Sequence, residues 1–358
     1  MGDNKETPAS LTPAGRDQAA LTTVALCLLV AATAWYLLRQ FAPLLRPLLL
    51  AVLLCYVILP AHLRLKQRMP GGAAVALMAA ASVVTLFLLA LMLYASAAAL
   101  GDDLPQWIER GQDVFHGLDR ALRQYAPWLT EGGSGADRAQ TQMADQLRAA
   151  ASALISAAAD VLTESIVVGF YLLFLLLEAR RFPERVRTAF PSDRAEQILA
   201  VARNINEAMA SYLRVKVKAS LVLAVPVTVV LWALGVKFPG MWGVLTFIAN
   251  FVPYLGSVFA CSLPILLALL QMEFGWRPVA VAVLLVALHM LSAYLVEPRM
   301  TGRAVGLSPL VILLALAFWG LCWGLIGMVL AVPLTVMLKI VLENVAFTRP
   351  VARLMGEE

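Results

Sequence analysis

The apolar residues of this chain are gathered into runs near or above the ~20 that a helix needs to cross a bilayer's hydrocarbon layer. A helix satisfies its own backbone N–H and C=O groups, so such runs predict an all-α integral membrane protein. Composition agrees. Of 358 residues, 61% are hydrophobic and 14% charged, against roughly 25% charged in a soluble domain. The mean hydropathy is +0.80, and a soluble chain of this length needs more polar surface to cover its core.

The net charge of +5 brings nucleic acid to mind, but the basic residues flank the apolar runs, where they set topology. No nucleic-acid partner is expected. Cys27, Cys55, Cys261 and Cys322 stand alone inside apolar segments, without ligand spacing, and read as packing residues. Ala32, Thr33 and Ala34 resemble a signal-peptidase site, but the apolar run continues past them, so an uncleaved first span is expected.

Along the chain, residues 1–20 read as a cytoplasmic tail and 21–100 as the first three transmembrane helices (21–38, 44–59 and 73–99). Arg46 is placed to snorkel to the interface. Residues 101–148 hold eight acids, five arginines, Trp107, Trp128 and a glycine-rich linker at 132–135, and read as a small extracytoplasmic helical domain. A fourth transmembrane helix is expected over 149–177, with Asp160 and Glu164 near its outer end. Residues 178–216 read as a cytoplasmic amphipathic helix on the membrane face, its apolar stripe running through Ile198, Val201, Ile205 and Met209. Residues 217–342 form a core with two broken segments, and 343–358 a cytoplasmic C-terminal tail.

Orientation follows from the connections. Arg64, Lys66 and Arg68 lie in a loop with no acid, and 178–218 carries nine basic and five acidic residues, so both are expected inside. The acidic 101–148 region is expected outside. One alternating topology with a cytoplasmic N-terminus satisfies all three.

In the last 140 residues the texture changes. A span at 217–234, interrupted by Pro226, is followed by an apolar stretch at 241–270 broken by Asn250, Pro253, Gly256 and Pro264. A second span at 276–296 carries His289. It is followed by an apolar stretch at 307–342 broken by Gly320, Gly324, Gly327 and Pro333. Interrupted helices in corresponding places point to a midplane transport site, because freed backbone groups survive there only against protein or a wet cavity. The expectation is about eight transmembrane segments, two of them interrupted or re-entrant and entering from opposite faces.

Within the first broken stretch, Asn250, Tyr254 and Ser257 offer an amide and two hydroxyls, Pro253 removes a donor, and Gly256 permits a sharp turn. The set reads as a substrate or ion pathway; the bland alternative is a kinked helix with Asn250 as interhelical glue. Glu297, beside Pro298 and Arg299, ends a span, where a carboxylate is expensive and a functional candidate; the alternative is an interfacial pair with Arg299 or Arg303. Gly320, Gly324, Gly327 and Pro333 suit either helix packing or a hinge. Lys339 and Glu343 read as an i,i+4 ion pair, and His289 as either a proton relay or a packing residue.

No phosphate-binding loop, zinc-binding His pair or serine-nucleophile elbow occurs, and the three histidines, His62, His116 and His289, are far apart. No enzyme activity, metal or cofactor is expected.

Five stretches occur in order: 212–216 (Tyr-Leu-Arg-Val-Lys), 245–257, 296–302, 306–309 (Gly-Leu-Ser-Pro) and 318–335. Together they resemble the autoinducer-2 exporter family of bacterial membrane proteins. The resemblance implies an inner-membrane transporter, usually drawn with about eight spans, that forms homo-oligomers. Some members are linked to export of autoinducer-2 and others to sodium/proton antiport. By position it assigns Asn250, Pro253, Tyr254 and Gly256, then Glu297, Pro298 and Arg299, then Gly324, Gly327 and Pro333.

The resulting expectation is a secondary or facilitative transporter exporting a small polar solute, with the lipid bilayer as its surroundings, Asn250 and Tyr254 touching cargo, and Glu297 coupling to a proton or cation. Two rivals stand beside it: an antiporter exchanging a monovalent cation for protons, and a non-transporting membrane scaffold.

Overall fold

A computed structural model describes residues 13–67, 70–125, 135–179, 181–273, 275–297, 299, 306–345 and 347–356. The described residues are helical, without a strand: α1 (Pro13–Gln40), α2 (Ala42–Lys66), α3 (Gly71–Tyr125), α4 (Gly135–Glu178), α5 (Phe182–Ala189), α6 (Ser192–Ala233), α7 (Pro239–Ala249), α8 (Leu255–Gln271) and α9 (Trp276–Leu291). A π-turn (Ser292–Val296) extends α9, and α10 (Pro309–Asn344) and α11 (Arg349–Leu354) complete the chain. Six helices are long and apolar enough to cross a membrane, and Ala42–Ile58, Pro239–Ala249 and Leu255–Gln271 are shorter apolar helices.

Helix continuity bears on two expectations. Residues 101–125 and 135–148, expected as a small extracytoplasmic helical domain, are helical and continue α3 and α4. The two helices run antiparallel: a side chain at Gly169 would strike Val83, and one at Gly101 would lie 3.2 Å from Ile155. Beyond residue 100 the two still pack on each other, with Trp107, Ile108, Ala144 and Ala151 in one core cluster. The 178–216 segment is not one separate helix: after α5, α6 runs unbroken from Ser192 to Ala233. Of its expected apolar stripe, Ile198 packs on the Val186–Ala195–Leu199 cluster, and Ile205 and Met209 pack with Tyr212 and Leu213 against α2 and α10.

The proline expectations change too. Pro226 and Pro264 sit inside α6 and α8, and Pro333 inside α10. The first break lies at residues 250–254 alone, between α7 and α8. There the backbone of Gly256 presses on the Ala249 carbonyl so closely that a side chain at 256 would overlap it. The two helices thus fold back as a hairpin. At 11 and 17 residues, they rise only about 16 and 26 Å.

The second break is Gly324 (φ 65°, ψ −141°), a conformation open to glycine and closed to other residues. As one straight helix, α10 would be about 54 Å long. Instead Lys339 Nζ donates to the Gly306 carbonyl at 2.6 Å, although 33 residues separate them. Nearer the turn, a side chain at Gly320 would lie 3.0 Å from Met328 Cγ, and one at Gly327 would overlap the Trp319 carbonyl. The halves on either side of Gly324 are therefore antiparallel, a second hairpin. One of the six long apolar helices is folded in two.

The two hairpins meet. Phe251, at the first turn, shares a cluster with Cys322, Trp323 and Leu330, and Val252 packs with Leu316 and Ala331. Elsewhere, α2 holds α4 through Arg46 and Glu164 (3.6 Å). α1 touches the rest mainly at its end, where Trp323 Nε1 donates to the Leu38 carbonyl (2.9 Å) and Trp35 meets Phe318.

Candidate functional site

One face of α6 carries Tyr212, Lys216 and Ser220, four residues apart and so one above another. α7 and α9 both pack antiparallel to it, and contacts set the register. On the α7 side, Asn250 Nδ2 donates to Ser220 Oγ at 3.0 Å, and Gly243 lies against Thr228 and the Ala224 carbonyl. On the α9 side, Lys216 Nζ pairs with Glu297 Oε1 at 2.8 Å. Counting helical rise from these anchors puts Ser220, Asn250 and Ser292 at one level. Thr246 and His289 lie one turn further along, beside Ala224. The result is a polar seam through an otherwise apolar bundle.

The seam is buried and underbonded. Ser220, Thr246, Asn250, His289 and Ser292 are all buried, Asn250 at 9% exposure. Tyr212 Oη, Thr246 Oγ1, His289 Nε2 and Ser292 Oγ have no hydrogen-bond partner. Among the described residues these are four of the six buried side-chain atoms left so, the other two being on Glu164 and on Trp242, which lines a cavity against α3 and α4. Each such atom costs about 1–3 kcal/mol, and native interiors hold few of them. The four atoms named first lie on residues of the α6–α7–α9 interface. The His289 tautomer follows from geometry. Its Nδ1 lies 2.9 Å from the Leu285 carbonyl. A carbonyl only accepts, so Nδ1 donates and Nε2 of the neutral ring is left as an acceptor in the seam.

The π-turn positions Glu297. Its extra residue per turn rotates the chain after Ser292, which lets Glu297 face α6 with Ser292 and His289. The carboxylate is 33% exposed and the Lys216 side chain 12%. Among the described residues its partner is Lys216; Arg299 is exposed, and Pro298 and Arg303 lie outside the described residues.

Of the residues singled out from the sequence, Asn250, Glu297 and His289 reach this seam, each at its own level along α6. Tyr254 does not join them. It is 60% exposed and stands at φ 64° where the turn enters α8. Ser257 Oγ is spent locally on the Tyr254 carbonyl (2.9 Å). Pro253 and Gly256 shape the turn, Gly324 is the turn of the second hairpin, and Gly320, Gly327 and Pro333 lie in its helices. Lys216, Ser220, Tyr212, Thr246 and Ser292 were missed as site residues. Their signal was present in part, since 212, 216 and 220 form a polar stripe in the otherwise apolar inner half of α6.

The sequence profile of the AI-2E family transporters matches residues 24–347. The AI-2 transport protein TqsA of Escherichia coli (strain K12) is 28% identical over 326 residues, covering 89% of this chain and 91% of that protein. Two proteins each named "Putative transport protein" align over shorter regions. One, from Borreliella burgdorferi, is 32% identical over 196 residues, 54% of each chain. The other, from Haemophilus influenzae, is 35% identical over 200 residues, 55% of this chain and 57% of that one. The chain thus spans about half the length of these two relatives.

Proposed function

This chain belongs to the AI-2E transporter family, and on that premise we propose that it is a secondary or facilitative transporter that exports a small polar solute along the α6–α7–α9 seam. The protein is multi-pass, and in this reading it sits in the bacterial inner membrane with a cytoplasmic N-terminus. α1, α2, α3, α4, α6 and α9 then cross, the α7–α8 hairpin is re-entrant from outside, and the α10 hairpin is re-entrant from inside. Two features support this topology. α7 rises about 16 Å, roughly half of a 30 Å hydrocarbon layer, and a single crossing, α9, separates two hairpins whose turns meet. Copies associate as a homo-oligomer, for which α1 offers uncovered apolar sides such as Leu26, Leu28 and Leu29.

The observation that carries the proposal is the row of unpartnered polar atoms. A hydroxyl-rich solute of the autoinducer-2 type supplies donors to His289 Nε2 and acceptors to the hydroxyls of Thr246 and Ser292. When the seam parts to admit it, the cost of the unbonded atoms is relieved, so the closed seam is poised to open. The Asn250–Ser220 hydrogen bond is the contact that cargo replaces. The Lys216–Glu297 pair keeps the carboxylate neutralised and holds the end of α9 on α6 while the seam is shut.

The test is uptake into proteoliposomes with autoinducer-2, sodium and a proton gradient supplied separately. Autoinducer-2 flux that falls at least tenfold in Asn250→Ala and Ser292→Ala supports the reading. Flux unchanged in both variants, or sodium-dependent proton movement without solute flux, would sink it.

A further inference from the structure

The end of the molecule that carries Asp103, Lys237 and Gln271 contains a second feature, separate from the seam. Between α3, α4 and α8 lies a cavity of about 390 Å³ whose lining is leucine, alanine and tryptophan alone. It exists because α4 presents alanines, among them Ala153 and Ala157, opposite the bulkier Leu104 and Trp107 of α3 and Leu267 of α8. Leu325, the first residue past the Gly324 turn, closes one side. Ala153 and Leu325 are exposed, so the cavity opens to its surroundings.

Apart from the indole N–H groups of Trp107 and Trp242 the wall is hydrocarbon, which gives water or a polar solute few partners. For a membrane-embedded chain, the matching guest is hydrocarbon. The rim adds a second requirement. Lys237 lies 5.5 Å from the Trp107 ring and is paired with Asp103 at 2.7 Å. The exposed Arg110 donates to the Gln271 carbonyl at 3.0 Å, directly beside Leu270 of the lining. Among the described residues Arg110 has no acidic partner, and its guanidinium stands at the rim of the apolar pit.

We propose that this cavity seats one acyl chain of an anionic phospholipid, with Arg110 binding the headgroup phosphate. A chain placed there touches Leu267 of the first hairpin, Leu325 at the turn of the second, and the α3–α4 pair together. It therefore braces both hairpins against α3 and α4. The site depends only on the chain being embedded in a bilayer, so it stands or falls apart from the transport reading.

The experiment uses the full chain, purified, delipidated and titrated with phosphatidylglycerol or phosphatidylcholine, with bound lipid counted by native mass spectrometry. One tightly held phosphatidylglycerol is expected, preferred at least tenfold over phosphatidylcholine. Filling the pit with Ala153→Leu and Ala157→Leu, whose added atoms enter the void, removes it. Arg110→Gln keeps lipid binding but abolishes the headgroup preference. Absence of a preferred lipid in the wild type, or equal retention by the filled variant, overturns the proposal. If the double variant does not purify as a single species, Ala153→Leu alone makes the same comparison, with the thermal shift on adding phosphatidylglycerol as readout.

Discussion

The reversal of α10 at Gly324 makes a prediction that separates backbone strain from crowding. A methyl at residue 324 meets nothing within 4 Å, so the whole cost of Gly324→Ala is conformational. At φ 65° and ψ −141° that cost is about 1–3 kcal/mol. Gly327→Ala differs, because its backbone is helical and its methyl overlaps the Trp319 carbonyl. The two arms of the hairpin must separate to admit it, and because the obstacle is backbone the overpacking cost is at the upper end of about 1–3 kcal/mol or beyond it. Gly320→Ala is the control. Its methyl lies 3.0 Å from Met328 Cγ, a flexible side chain that can turn away, and alanine favours helix over glycine by about 1 kcal/mol. The net effect there is within about 1 kcal/mol of zero. Equilibrium unfolding of the purified protein in mixed micelles measures all three. The expected order of destabilisation is Gly327→Ala, then Gly324→Ala, then Gly320→Ala. If Gly324→Ala is as stable as the wild type while Gly320→Ala is strongly destabilised, the chain does not reverse at 324 and the hairpin is misassigned.

Two further outcomes follow from single contacts. Lys216→Met leaves Glu297 without its partner. It is expected to destabilise the protein by more than the double change Lys216→Met with Glu297→Gln, by about 1–3 kcal/mol on an unfolding cycle; additive effects would mean that the pair is not formed. Trp323→Phe keeps the ring in its cluster but removes the Nε1 donor to the Leu38 carbonyl, a loss of about 0.5–1.5 kcal/mol. Because α1 has few other contacts, proteolysis or hydrogen exchange in α1 should rise while the rest of the chain stays protected.

Much of the membrane architecture was legible because burial in lipid constrains composition directly. Any helix that crosses must be apolar over ~20 residues, so the runs at 21–38, 73–99 and 276–296 announce themselves. The broken stretches were also legible, since Asn250 to Gly256 and the glycines near 324 are costly inside a helix. Which of the breakers acts was not. Pro226, Pro264 and Pro333 are absorbed within helices, whereas Gly324 turns the chain around, and the difference lies in what packs beside each residue. The extent of α3 and α4 past residue 100 was hidden for a similar reason. Their ends look like a soluble domain by charge, yet the helices continue through them.

For the site, the sequence by itself determined that Asn250 and Glu297 are costly in hydrocarbon and so need partners. It could not say which partners, because those sit on a helix 30 residues away from one and 81 from the other. Only the antiparallel stacking of α7 and α9 on α6 brought Ser220 and Lys216 opposite them. The same stacking left Thr246 Oγ1, His289 Nε2 and Ser292 Oγ unbonded. An isolated serine or threonine in an apolar helix is common, since it can bond back to its own helix. Its meaning changes only when neighbouring helices line several of them up.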